Sequence, residues 1–214
     1  ADAHDVELVG GDTTAGPLNL CITVFGEVPP GQALRRDGAR VGDGLWVSHP
    51  LGGGIGDARL ALEVFRGRLH LPGEAFEHVR RAMEQPQPRV ALGLALRGVA
   101  SAAIDLSDGL AGDLAHVLRR SRVGATVELA ALPCGAVLAT QSEAIRRECT
   151  AAGGDDYELL FTAADEAAVR AAALAAGVGV TRIGHIDAGA GLRWVDAQGR
   201  DVAFQPQGFD HFAD

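Results

Sequence analysis

The stretch "SAAIDLSDGL", residues 101–110, decides how the chain is read. An apolar run ends at Ile104, Asp105 closes it, and a second apolar face begins at Leu110. The hydrophobic period therefore changes from that of a strand to that of a helix within a few residues. A helix start leaves backbone N–H groups unpaired, and Ser107 or Asp108 could satisfy them as a cap. A cap accounts for one acidic residue but leaves Asp105, which would sit beside Asp108 and repel it. Two neighbouring carboxylates are tolerated where a hard divalent cation lies between them, and Mg²⁺ takes one or two carboxylates plus phosphate oxygens. Caps are the commoner use of such residues, so the local pattern leaves both roles open.

Two further stretches repeat the arrangement. In "VGGDTTAGP" (9–17) a short apolar run meets Gly10, Gly11 and Asp12. In "AGGDDYELLF" (152–161) Gly153 and Gly154 precede Asp155, Asp156 and the only tyrosine of the chain, Tyr157. Each alone reads as an ordinary Gly-Asp turn. Together they predict acidic loops converging at one edge of a sheet, where α/β proteins bind ligands.

Working outward, residues 18–25, "LNLCITVF", alternate Leu18, Leu20, Ile22 and Val24 against polar neighbours, which predicts a strand. "GEVPPGQ" (26–32) then breaks the chain and sets an expected domain boundary. A strand is expected at 44–49, followed by the glycine-rich "PLGGGIG", read as a strand-to-helix loop able to approach phosphate. Helices are expected over 57–65, 73–84, much of 88–100, 110 to near 124, much of 135–150, and 165–177 with Gly177 as its stop. Strands are expected at 125–129, 157–163 and 179–186, and on both sides of a turn through Gln198 and Gly199. Helices and strands intermix, so the fold class is α/β or α+β, a mixed sheet packed with helices.

Composition narrows the chemistry. The 214 residues carry 28 acidic against 19 basic side chains, a formal charge of −9, which argues against a nonspecific grip on nucleic acid. The three cysteines, Cys21, Cys134 and Cys149, form no close pair and suit a reducing compartment. No apolar run approaches the roughly 18 residues of a membrane span, and the start is no signal peptide; the expected location is the cytoplasm. There is no G-x-x-x-x-G-K-[ST], G-x-S-x-G, H-E-x-x-H or C-x-x-C, so a P-loop enzyme, a serine hydrolase and a zinc enzyme have no support.

Seven pieces together resemble the thiamine-monophosphate kinase family, in the family's order and over nearly the whole chain. They are "GGDTTAGP", "ALRRDGARVGD", "PQPRVALG", "AIDLSDGLAGDLAHVLRRSRVGA", "GGDDYELLFT", "RIGHI" and "GFDHF". The "DLSDGL" piece is shared with the wider aminoimidazole-ribonucleotide-synthetase superfamily; "GGDTT", "GGDDYEL" and "GFDHF" together are more specific. The resemblance implies transfer of the γ-phosphoryl of ATP onto thiamine monophosphate, giving thiamine diphosphate. It implies Mg²⁺ on Asp12, Asp105 and Asp108, and ATP contacts from Gly11, Asp12, Arg36 and Ser107. It assigns Asp155 and Phe209 to the thiamine substrate, and a homodimer to the full-length protein, with no nucleic acid or membrane partner. Asp155 stands where the family usually has Glu, a side chain longer by one methylene. The family's chain also begins upstream, so this one is expected to be a truncated form, inactive alone, with a remnant of the N-terminal ATP- and Mg-binding domain over 1–28 and the C-terminal α/β domain over 29–214. The alternatives are another ATP-using member of the superfamily, such as an aminoimidazole ribonucleotide synthetase, or a non-catalytic nucleotide-binding fragment.

Overall fold

A computed structural model of the chain describes residues 4–206. It divides into two units, residues 1–33 and 34–214. In the first unit no strand forms over 18–25, contrary to the alternation. Leu18, Leu20 and Ile22 are 94%, 85% and 88% exposed. Alternation sorts side chains into two faces but supplies no ladder partner, and the described residues offer this segment none.

The second unit holds a six-stranded sheet of β1 (Gly44–His49), β2 (Ala102–Asp105), β3 (Gly124–Glu128), β4 (Leu159–Ala163), β5 (Gly179–Asp187) and β6 (Gly191–Val195). The spatial order is β2-β4-β1-β5-β3-β6, with every pair antiparallel except β3 with β6. Among the described residues seven helices surround it: α1 (Asp57–Phe65), α2 (Gly73–Glu84), α3 (Val90–Ala95), α4 (Leu110–Ser121), α5 (Ala136–Ala139), α6 (Glu143–Ala152) and α7 (Glu166–Ala176).

Both faces of the sheet are buried, which explains why β1 reads as a continuous apolar run. Leu45 and Val47 face α4, packing with Leu110, Leu114 and Val117. Trp46 and Phe161 face the other way, against Leu92 and Leu96 around α3 and Val169 of α7. A third cluster, Leu60, Val79, Leu138 and Cys149, joins α1, α2, α5 and α6 to one another. Burial without a polar partner pushes the Cys149 thiol up to about 12, so it packs as an apolar group.

Several expected elements are shorter or divided. The helix over 135–150 is two, broken at Thr140–Ser142, where the Ser142 hydroxyl accepts from the Ile145 amide at the start of α6. The helix over 88–100 covers only α3 and is followed by Gly98 at φ 78°. Beyond β6, the second strand of the final hairpin is a single bridge, Val195 to Asp201, among the described residues. At its other end, α7 is as read: the Asp165 carboxylate accepts from Ala168 N, and Gly177 at φ 64° ends it in the left-handed conformation.

Candidate functional site

The sheet order places β2 beside β4, so the two acidic loops that border these strands meet. Three backbone bonds zip them together: Leu106 N to Glu158 O at 2.8 Å, Tyr157 N to Leu106 O at 2.9 Å, and Asp155 N to Ser107 O at 3.0 Å. The approach is too close for a side chain at Gly154, where a Cβ would lie 2.3 Å from Ser107 O. Asp155 and Tyr157 adopt φ of 67° and 51°, a left-handed conformation costing about 1–2 kcal/mol per non-glycine residue. Such cost persists where surrounding structure over-determines it, and functional sites collect it. The left-handed Tyr157 also explains why β4 begins at Leu159 rather than at residue 157.

The carboxylates of this edge divide into two sets. Asp105 at the end of β2 and Asp155 are exposed, and Asp108 and Ser107 are half-buried. Beneath them lie Asp113, Asp156 and Glu158, whose oxygens are spent on structure. Asp113 accepts from the amides of both Ser107 and Asp108 at 3.1 Å. The N-cap of α4 is Gly109, at φ 106° and with no side-chain cap bond. Here the loop amides donate to a helix side chain, the reverse of a cap, in which helix amides donate to the loop. Burial, and next the charges of Asp108 and Asp105, push the Asp113 carboxyl up against the pull of those amides.

Asp156 fills the start of α1. Both its oxygens accept from Gly56 N, at 3.0 and 2.8 Å, and burial pushes its carboxyl well up. Gly56 itself is at φ 88°, and a Cβ there would lie 2.7 Å from the Cys149 carbonyl. The N-terminus of α1, which follows the glycine-rich loop, is therefore already filled by the Asp156 carboxyl, where the sequence left a phosphate approach open. Glu158 is 4% exposed and takes two bonds from the Arg89 guanidinium, at 2.7 and 2.5 Å. It also accepts from the Ser48 hydroxyl, which in turn accepts from Leu159 N.

A cavity of about 540 Å³ opens on the exposed set. Its lining includes Ser107, Asp108, Gly154, Asp155 and Tyr157, with Arg59 from α1 and Arg66, the residue that caps its C-terminal end. Asp105 and Tyr157 line a neighbouring, more apolar cavity of about 630 Å³ with Leu34, Arg89 and Leu159. Tyr157 faces both; burial first, then Asp155, Asp105 and Asp108, push its hydroxyl up, so it stays a neutral donor at neutral pH.

Of the residues singled out in the sequence, Asp105, Ser107, Asp108 and Asp155 come together here. Arg36 is exposed, its carbonyl accepts from Ser121 Oγ at the far end of α4, and it lines neither cavity. Gly11 and Asp12 belong to the first unit, where Asp12 bonds the Thr13 amide at 2.7 Å. Phe209 lies outside the described residues. Sequence reasoning missed Arg59, Arg66 and Asp113. The first two stand at a spacing of seven along and just after α1, a helical-face signal present in the sequence; for Asp113 no local signal exists, because its partners are loop amides.

Comparisons with known proteins fit this picture. Residues 40–196 match the family model described as AIR synthase related protein, C-terminal domain. The thiamine-monophosphate kinase of Salmonella typhimurium is 40% identical over 216 residues, covering 98% of this chain and 65% of that protein. A crystal structure of thiamine-monophosphate kinase from Stenotrophomonas maltophilia K279a superposes with a TM-score of 0.72 at 41% identity, over 82% of this chain and 56% of that one. AaThiL complexed with AMPPCP and TMP superposes with a TM-score of 0.65 at 27% identity, over 84% and 54%. The chain thus spans just under two thirds of the curated relative's length and little more than half of the solved chains.

Proposed function

Because the chain belongs to the AIR synthase related family through its C-terminal domain, we propose that it serves an ATP-dependent thiamine-monophosphate kinase. The reaction moves the γ-phosphoryl of ATP onto thiamine monophosphate and yields thiamine diphosphate. The observation that carries the reading is the edge where Asp105, Ser107, Asp108 and Asp155 meet over a buried set of carboxylates that holds the loops. Its support from outside is the similarity to thiamine-monophosphate kinases over 98% of the chain and to AaThiL, which was solved with AMPPCP and TMP.

The chemistry suits the residues. The acceptor is a phosphate monoester, largely deprotonated at neutral pH, so little is asked of a general base. The difficulty is holding two polyanions in line, which is a matter of positioning and charge. Asp105 and Asp108 both bear electrostatically on Asp113, so their charges meet in one small space. Among the described residues no group of three or more His, Cys, Asp or Glu is placed to hold a metal. Two hard carboxylates nevertheless fit Mg²⁺, which completes its shell with water and phosphate oxygens. Asp105 and Asp108 would hold it, with Asp12 assigned by resemblance, and bound there it would neutralise phosphate charge. Ser107 would donate to a nucleotide oxygen, and Asp155 and Phe209 would contact the thiamine moiety. A division at 28/29, a homodimer and a cytoplasmic location belong to the same reading; no helix among the described residues is long and apolar enough to cross a membrane.

The test is product formation from Mg-ATP and thiamine monophosphate by this protein extended at its N-terminus to the length of its relatives. Thiamine diphosphate is the expected product. ATP consumed with another acceptor, or no transfer, would overturn the reading.

A further inference from the structure

The α1 wall of the 540 Å³ cavity carries more positive charge than its own partners neutralise. Arg59, Arg66 and Arg68 all approach a single carboxylate, Glu63, which is 14% exposed: Arg59 Nε at 3.0 Å, Arg66 Nη1 at 3.6 Å and Arg68 Nη1 at 3.2 Å. Three guanidinium groups on one carboxylate leave a surplus of two charges. The Glu63 contact lies off the N–H axis of Arg59, so that buried Nε has no aligned acceptor. Arg59 and Arg66 line the cavity; Arg68 does not. Their spacing of seven puts both on the face of α1 that Leu62 also presents to the cavity.

Ser107, Asp108 and Asp155 line the same cavity. A lining of guanidinium groups together with carboxylates matches neither a simple anion nor a simple cation. It matches a metal–phosphate pair, whose phosphate oxygens seek planar donors while its cation seeks carboxylates. Arg36, the arginine assigned to nucleotide by resemblance, lines neither cavity, which leaves that electrostatic task without a residue there.

We propose that Arg59 and Arg66 bind the phosphate oxygens of a phosphoester in this cavity, which Ser107, Asp108 and Asp155 also line. The identity of that phosphoester, the polyphosphate of ATP or the monoester of the acceptor, rests on the kinase reading; the anion site does not. Glu63 acts as the positioning residue, since it aligns both guanidinium groups along α1.

The experiment is calorimetric titration of the protein with Mg-pyrophosphate. Arg66→Gln, at a half-exposed position, should weaken binding about tenfold or more, the usual cost of a charge-assisted contact. Arg59→Gln should weaken it at least as much. Arg68→Gln shares the Glu63 partner but lies off the cavity, and should bind as the parent does. No pyrophosphate binding by the parent, unchanged binding in both cavity variants, or an equal loss in Arg68→Gln would each overturn the site. In turnover assays of the extended protein, a KM raised for ATP or for thiamine monophosphate by Arg66→Gln identifies the phosphoester held; neither raised would overturn the proposal. Arginine-dependent pyrophosphate binding without thiamine diphosphate formation would keep this site and remove the kinase reading.

Discussion

The rim of the β2–β4 edge and the floor beneath it are built from the same residue types and do opposite things. On the rim, Asp105 and Asp155 face solvent, and the backbone at Asp155 is held left-handed. On the floor, Asp113, Asp156 and Glu158 accept from backbone amides, a guanidinium and a hydroxyl. Within one sequence, "GGDDYEL", neighbours alternate between the two: Asp155 outward, Asp156 and Glu158 inward. An acidic motif is therefore no unit of function. Its chemistry is set residue by residue, by which side of the chain has amides to offer.

The sharpest way to break this contrast is at Glu158. Glu158→Ala should leave Arg89, whose side chain is 12% exposed, as a buried unpaired cation. A stability loss of about 3–5 kcal/mol is expected in denaturant unfolding; a loss near zero would mean the floor does not hold the loops. Next is the zip between the loops. Gly154→Ala places a Cβ 2.3 Å from Ser107 O, and the loops must part, at about 1–3 kcal/mol. Urea unfolding measures it, and the rim should lose ligand binding with it.

The rim itself should respond in the opposite sense. Asp155→Gly removes a side chain from a φ of 67° and should stabilise the fold by up to about 1 kcal/mol while weakening the substrate contact proposed for it, read as a raised KM in the extended protein. Thermal melts beside turnover read both effects. The smallest effect is in pH. Burial raises the Asp57 carboxyl, with His78 pulling the other way. A raised folded-state pKa means its contribution is full below the unfolded value, about 3.9, and is lost as pH rises through the folded value. Asp57→Asn cannot ionise, so its stability relative to the parent should increase as pH rises from about 4 towards neutrality. Melting curves across that range test the sign.

Much of this was legible in the sequence. β1, α1 and α2 follow from hydrophobic period and punctuation, and the meeting of "DLSDGL" with "GGDDYEL" follows from two apolar runs that each border an acidic turn. What escaped depends on partners far away in sequence. Nothing local says that Asp156 caps α1 through Gly56, one hundred residues earlier, or that Asp113 reaches back to the loop before its helix. Nor could period alone show that, among the described residues, Leu18–Phe25 lacks a ladder partner while Gly44–His49 has two. Local pattern names the face of an element; the fold decides what lies opposite.

The account's central claim is that the rim carboxylates carry the ligand chemistry and not the fold. Its most direct test is titration of Mg-AMPPCP into the parent protein and into Asp105→Asn, with melting temperatures taken on the same samples. The account predicts Mg²⁺-dependent binding in the parent, its loss in Asp105→Asn, and a melting temperature unchanged or slightly higher. Intact binding in a variant that melts well below the parent would contradict it.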